Sequence, residues 1–196
     1  MTAEQNNTGF SDDNLIRSVK NGNTANFEII INRYKNKIIN FIYRMTGDYD
    51  ESRNISQEVF FMVYRKIGKY KENNTFQSYL YTIAKNNTLN YLKKMKRISF
   101  FSTMSERDAD FSDSEKNSPH ENLFEEERNR IVINGLKELI INQRLALILK
   151  VYLGFSYKKI AEITGWSLPK IETLISRAKA NLKNYVKLQE NRGRNV

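Results

Sequence analysis

The chain has 196 residues, 40% of them hydrophobic, and a net charge of +10, which suits one large or two small globular units with a polyanion as partner. It has no cysteine, which excludes disulfides and thiolate metal sites, and its one histidine, His120, sits in a polar loop-like stretch. The start MTAEQNNTGFSDD has neither the basic nor the apolar region of a secretory signal, and apolar runs such as LALIL at 145–149 are far short of a membrane span. A cytoplasmic protein without membrane insertion is expected.

Residues 1–10 are polar and expected to be disordered. Ser11 can cap a short helix carrying Leu15, Ile16 and Val19, ended by NGN at 21–23. Phe27, Ile30, Ile31, Tyr34, Ile38, Phe41, Ile42 and Met45 then recur at helical spacing up to Gly47. Asp50 is the expected cap of a third helix with Ile55, Val59, Met62, Val63 and Ile67 inward. After the loop at 68–75, a fourth helix over 76–97 carries Tyr79, Leu80, Ile83, Ala84, Tyr91, Leu92 and Met95. Residues 98–122 are rich in Ser and Asp and read as a flexible acidic linker, although Phe100, Phe101, Met104 and Phe111 are unusual in one. Charge follows the same division: net +7 over 1–97, −7 over 98–127 and +10 over 128–196. Helical period returns over 123–140 and 143–153. With no strand-like alternation, the fold class is all-α: a helical domain at 11–97, the linker, a second helical domain at 123–188 and a basic tail at 189–196.

The stretch YKKIAEITGWSLPKIETLISRAKANL at 157–182 holds two short helices and a tight turn. Ala161, Gly165 and Ile171 follow the spacing of a helix-turn-helix: a small residue where helices cross, a turn glycine, an aliphatic plug. Pro169 fits the first turn of the second helix, where its missing N–H is not needed. Lys170, Thr173, Ser176 and Arg177 project away from the apolar stripe, with Glu172 and Lys179 beside them. Arg177 can bridge a guanine or grip a phosphate; Glu172 can accept from a cytosine amine or serve in a surface contact. Amphipathic helix pairs with basic outer faces also occur as plain structure.

Three motifs in order carry a family resemblance. SRNISQEVFFMVY at 52–64, FQSYLYTIAKNNTLNYLKKMKR at 76–97 and the helix-turn-helix resemble conserved regions two and four of the extracytoplasmic-function sigma factors of bacterial RNA polymerase. The likeness spans about 15–97 and 123–185, and GNTANFEIIINRY at 22–34 resembles the family's opening helix. It implies promoter recognition, not catalysis, with core RNA polymerase (its clamp coiled coil and flap) and promoter DNA as partners. An anti-sigma factor is a further partner class that it allows, and no cofactor or metal is implied.

The resemblance also assigns residues. Gln57, Glu58, Val59 and Phe60 match the polymerase-facing helix, with Asp50 and Asn54 at neighbouring positions; the family usually has Asp at 54. Leu80, Ile83, Ala84 and Asn86 match the promoter-opening helix, where Tyr79 replaces the usual Trp and Asn90 a frequent Asp. By the same resemblance, a base of the minus-ten element enters a pocket between the loop at 68–75 and the helix bearing Asn86. Tyr70, Asn73, Asn74 and Phe76 offer stacking faces and amide edges for it, though Phe76 reads first as a core aromatic. Lys85, Lys93, Lys94, Lys96 and Arg97 would hold the strand's backbone. The second helix of the C-terminal pair would read the minus-thirty-five element through Lys170, Glu172, Thr173, Ser176, Arg177 and Lys179. Here Pro169-Lys170 stands for the family's Gly-Thr and Leu174 for a frequent Arg.

Two other classes remain open at this point. A stand-alone helix-turn-helix regulator would explain the C-terminal motif and leave SQEVF and IAKNN as coincidence. A metal-dependent nuclease would need Asp108, Asp110 and Asp113 as ligands, in a Ser-rich tether without supporting partners.

Overall fold

The computed structural model describes the backbone of residues 10–71, 75–105 and 123–193, and side chains over 10–71, 75–98 and 129–189. Eight α-helices account for most of it: α1 Asp12–Lys20, α2 Ala25–Thr46, α3 Tyr49–Lys66, α4 Phe76–Ser105, α5 Leu123–Glu138, α6 Ile141–Leu147, α7 Tyr157–Thr164 and α8 Leu168–Gly193. A 3₁₀ turn, Ile67–Lys69, follows α3, and a π-turn, Ile148–Tyr152, continues α6. No strand occurs among the described residues.

The first unit is built round α2. Its stripe from Phe27 through Ile30, Tyr34, Ile38, Phe41 and Ile42 to Met45 is buried, and α1, α3 and α4 pack against it. The local signals act as the sequence requires. Ser11 accepts from the backbone N–H of Asn14 at 3.3 Å, and α2 closes at Gly47. The cap of α3 is Asp48, not Asp50: its carboxylate accepts from Glu51 N–H at 2.9 Å, leaving Asp50 exposed in the first turn. Two boundaries also differ from expectation. The fourth helix continues past Arg97 to Ser105, into the segment read as linker, and α8 continues past 188 to Gly193. The expected disordered start over residues 1–9, the remaining linker at 106–122 and the end of the basic tail at 194–196 lie outside the described residues.

In the second unit α5, α6 and α7 all pack on α8. Gly165 ends α7 at φ 73°, a left-handed conformation that lets the chain reverse into α8 at little cost. Buried Ile160, Ile163, Ile171, Ile175 and Ala178 join the two helices. Gly135 permits the close crossing of α5 and α8, since a Cβ there would lie 2.6 Å from Leu182 Cδ1 and 2.9 Å from Tyr185 Cδ1. Gly135→Val should therefore push the end of α8 off α5 and lower stability by about 1–3 kcal/mol. Urea unfolding measures this, and an unchanged midpoint would show that α8 yields without loss.

The two units are docked on each other. Tyr81 of α4, fully buried, stands edge-on to Phe41 of α2 (centroids 5.5 Å apart) and to Phe155 of the second unit (5.0 Å). Arg44 lies over the Tyr152 ring at 3.8 Å. The buried Arg144 guanidinium donates to the carbonyls of Met45, Lys137 and Leu139, at the C-terminal ends of α2 and α5. A positive charge is favoured at both ends by the helix dipoles.

Candidate nucleic-acid and polymerase surfaces

Helix α3 turns Ile55, Ser56, Val59, Phe60 and Val63 inward, so what remains faces out. Asp50, Asn54, Gln57 and Glu58 are all exposed and recur at helical steps, forming one ridge. Asn54 contacts its neighbour Glu51 through a long 3.5 Å amide–carboxylate bond. The ridge continues into Phe61, 60% exposed, and borders a groove of about 410 Å³ between α2 and α3. Phe27, Ile31, Ile39, Phe60, Phe61 and Tyr64 line the groove, with Lys35, Arg53 and Gln57 at its polar edge. Sequence reading missed Phe61 and Tyr64 as surface residues. The available signal was that VFFMVY is apolar on more sides than one buried stripe can use.

Helix α4 carries the second set. Asn86, Asn90, Lys93, Lys94, Lys96 and Arg97 are exposed along about three turns, a cationic ridge suited to a phosphate backbone. At its start lies a cleft of about 240 Å³ between the segment 69–71 and α4, lined by Lys69, Tyr70, Lys71, Ser78, Tyr79 and Thr82, with Glu162 of α7 at its edge. This is where the family resemblance places a displaced base, although Asn86 lies one turn beyond the lining. Tyr79 is half-buried, with its hydroxyl donating to Lys66 O at 3.3 Å.

Phe76 takes the core role that the sequence favours first, and Tyr70 needs correction as a stacking group. Phe76 is fully buried and packs edge-on against Tyr34 and Tyr70, so its faces are covered by core. Tyr70 is also buried: its hydroxyl donates to Asp13 at 3.2 Å and Lys20 lies over its ring, which makes it a wall of the cleft and not an open stacking platform. Asn73 and Asn74 lie outside the described residues. Lys85 does not face solvent as a backbone-gripping group would. It is half-buried and donates to Ile163 O at 2.8 Å, and burial lowers its pKa.

The helix-turn-helix ridge stands open. Lys170, Glu172, Thr173, Ser176, Arg177 and Lys179 are all exposed, on the side of α8 away from Ile171, Ile175 and Ala178. Thr173 donates to Pro169 O at 2.9 Å, which fixes its rotamer, and Lys170 lies 5.2 Å from the ring centre of Trp166, the chain's single tryptophan. Among the described residues no group of three or more acidic or histidine side chains could hold a metal, and Asp108, Asp110 and Asp113 lie outside them.

Comparison with known families decides between the readings. The model of sigma-70 region 2 matches residues 30–98, and that of sigma-70 region 4 matches residues 130–182. The chain belongs to the sigma-70 family. Its relatives include the RNA polymerase sigma-H factor of Pseudomonas aeruginosa, 28% identical over 86% of this chain and 90% of that one. The extracytoplasmic-function sigma-E factor of Haemophilus influenzae is 27% identical over 90% of this chain and 95% of that one. Among solved structures, the sigma factor RpoE in complex with the anti-sigma factor NepR from Bartonella quintana shares the fold, with a TM-score of 0.64, 20% identity and coverage of 82% and 96%. This sigma factor is therefore an alternative sigma factor that directs transcription initiation, and not an enzyme. A stand-alone regulator would leave the region 2 match over 30–98 unexplained. No helix among the described residues of the sigma factor is long and apolar enough to cross a membrane.

Proposed function

We propose that this sigma factor binds core RNA polymerase through the α3 ridge of Asp50, Asn54, Gln57 and Glu58 and reads a promoter with two separate surfaces. The exposed face of α8 takes the minus-thirty-five element as duplex. The cleft beside Tyr79 and the ridge from Asn86 through Asn90, Lys93 and Lys94 to Arg97 take the minus-ten element as a separated strand. The observation that carries this reading is the arrangement of α8: every candidate base-reading side chain is exposed, on a helix held by three buried residues on its other side. Such a helix can enter a major groove without unfolding its own support. Residues 11–97 and 123–188 are the proposed functional domains, with the cytoplasm as their compartment. The anti-sigma complex of the Bartonella quintana neighbour supports an anti-sigma factor as a further partner.

The test is transcription by reconstituted holoenzyme on fully paired and pre-melted promoters. Arg177→Ala should weaken recognition of the upstream element by about 1–3 kcal/mol if it makes a bidentate base contact, equally on both templates. Asn86→Ala should impair opening of the paired promoter, with part of the defect recovered on the bubble because melting is then already done. Identical responses of the two variants to the bubble would refute this division of labour.

A further inference from the structure

One wall of the cleft proposed for a displaced base is held from a distant part of the chain. Tyr70 stands in the lining between Lys69 and Lys71. Its carbonyl accepts from the Lys20 ammonium at 2.7 Å, and its hydroxyl donates to Asp13 Oδ1 at 3.2 Å, from residues 50 and 57 positions earlier. The Lys20 ammonium also lies 5.3 Å from the centre of the Tyr70 ring. Asp13 and Lys20 are two turns apart on α1, so one helix face grips both ends of the tyrosine. The Tyr70 N–H is spoken for as well, donating to Ile67 O at 3.1 Å. Helix α1 is itself fixed to α2. Leu15, Ile16 and Val19 are buried, Asp12 pairs with Arg33 and accepts from the Tyr34 hydroxyl, and Asn26 donates to Ser18 at 2.7 Å. On its other side the Tyr70 ring meets Phe76 at 5.9 Å and Tyr79 at 5.2 Å between centroids. Burial of an apolar stripe explains why α1 docks, but not why two charged side chains converge on one tyrosine of the cleft.

We propose that α1 sets base selectivity in this cleft without touching DNA. Asp13 and Lys20 are positioning residues: they fix Tyr70, and through it the wall that faces Tyr79. This rests on the cleft being the strand site. A pocket rejects a wrong base only if its walls hold when that base is offered, and a wall that yields admits several bases with little loss. With its N–H, carbonyl, ring and hydroxyl all engaged, Tyr70 is such a fixed wall. The same anchoring presents the exposed Lys69 and Lys71 from a backbone held on both sides, so charge and shape at the cleft are set together.

The test uses holoenzyme reconstituted with the full chain and a pool of pre-melted promoters randomised over the minus-ten element. Sequencing the templates retained in competitor-resistant complexes gives the preference for the favoured base over the other three at each position. Lys20→Met and Asp13→Ala should each lower that preference about fivefold to tenfold at the captured position and leave the other positions unchanged. Lys20→Arg, which can still donate to the Tyr70 carbonyl, should keep it. Tyr70→Phe should relax the preference as Asp13→Ala does, and Asp13→Ala should add nothing in the Tyr70→Phe background, because the hydroxyl is already gone. Thermal melting of each variant checks the fold. If Lys20→Met and Asp13→Ala reduce complex yield for all four bases alike, α1 is only structural and the proposal fails. Additive losses in the double variant would overturn the path through the hydroxyl. Tyr79→Ala separates this from the site reading. Should it relax the preference while the α1 variants retain it, the cleft stands without α1; should it leave the preference intact, the strand binds elsewhere and both fall.

Discussion

Glu58→Lys is expected to abolish assembly with core RNA polymerase while helicity and melting temperature stay close to those of the unaltered chain. Glu58 is exposed on the outer face of α3, opposite the buried row of Ile55, Val59 and Val63. It makes no described contact that the fold needs, and Lys is as good a helix former as Glu. The substitution therefore acts at an interface or nowhere. With Asp50 and Glu51 it supplies the acidic character of that face, next to the apolar groove bearing Phe61 and Tyr64. An acidic ridge beside an apolar groove favours a partner that sets cationic groups next to an apolar anchor, although the groove's own edge carries Lys35 and Arg53. Reversing the charge places like charges together at a desolvated contact, which costs several kcal/mol, or more than ~1,000-fold in affinity. Titration of core polymerase with labelled protein reads this directly, and circular dichroism checks the fold. Core affinity within about threefold of the unaltered chain, less than 1 kcal/mol, would remove α3 from the polymerase interface.

Arg144→Met should be the most damaging single change to stability in the second unit, with a loss of about 3 kcal/mol or more. The guanidinium is buried and serves three carbonyls: Met45 at the end of α2, and Lys137 and Leu139 at the end of α5. These belong to the terminal carbonyls that a helix cannot satisfy itself. Met fills much the same volume but donates nothing, so the carbonyls would stay desolvated and unpaired. Burial lowers the Arg144 pKa, with Glu138 opposing, but an arginine retains its charge throughout the usual pH range. The effect should therefore be insensitive to pH and, because the site is buried, to moderate salt. Arg144→Lys should recover part of the loss, since one ammonium can reach one or two of the three acceptors. Denaturant unfolding of the three proteins measures this. A Met variant within about 1 kcal/mol of the unaltered chain would mean that water satisfies the carbonyls and that Arg144 is not a structural tie.

Local order was legible in the sequence because it depends on local chemistry. The α2 stripe from Phe27 to Met45 needs only periodicity, and its stop at Gly47 only a residue that tolerates the left-handed region. The same holds for the cap at Ser11 and for the Ala161–Gly165–Ile171 spacing, which appears as α7, a turn at φ 73° and α8. The exposed ridge of α8 followed from the buried Ile171, Ile175 and Ala178, since residues on one side define the other. Even the local misses were small: Asp48 and Asp50 are both able caps, and only the backbone path between α2 and α3 selects the first.

What the sequence could not determine is which residues far apart in the chain meet. Tyr81 lies outside the expected inward stripe of α4, yet it is fully buried, because Phe155 comes to it from the second unit. Lys85 looks by pattern like a solvated strand-gripping lysine, and only the C-terminal end of α7, 78 positions away, gives it another partner. Tyr70 looked free to stack because it flanks a polar loop, whereas α1 encloses it; Phe76 takes the core position that the sequence favours first. Periodicity records whether a side chain is buried within its own helix bundle, and carries no term for the second bundle that docks on it. The tie that Arg144 makes between the end of α5 and Met45 of α2, 99 positions from it, is therefore a decision of the tertiary structure alone.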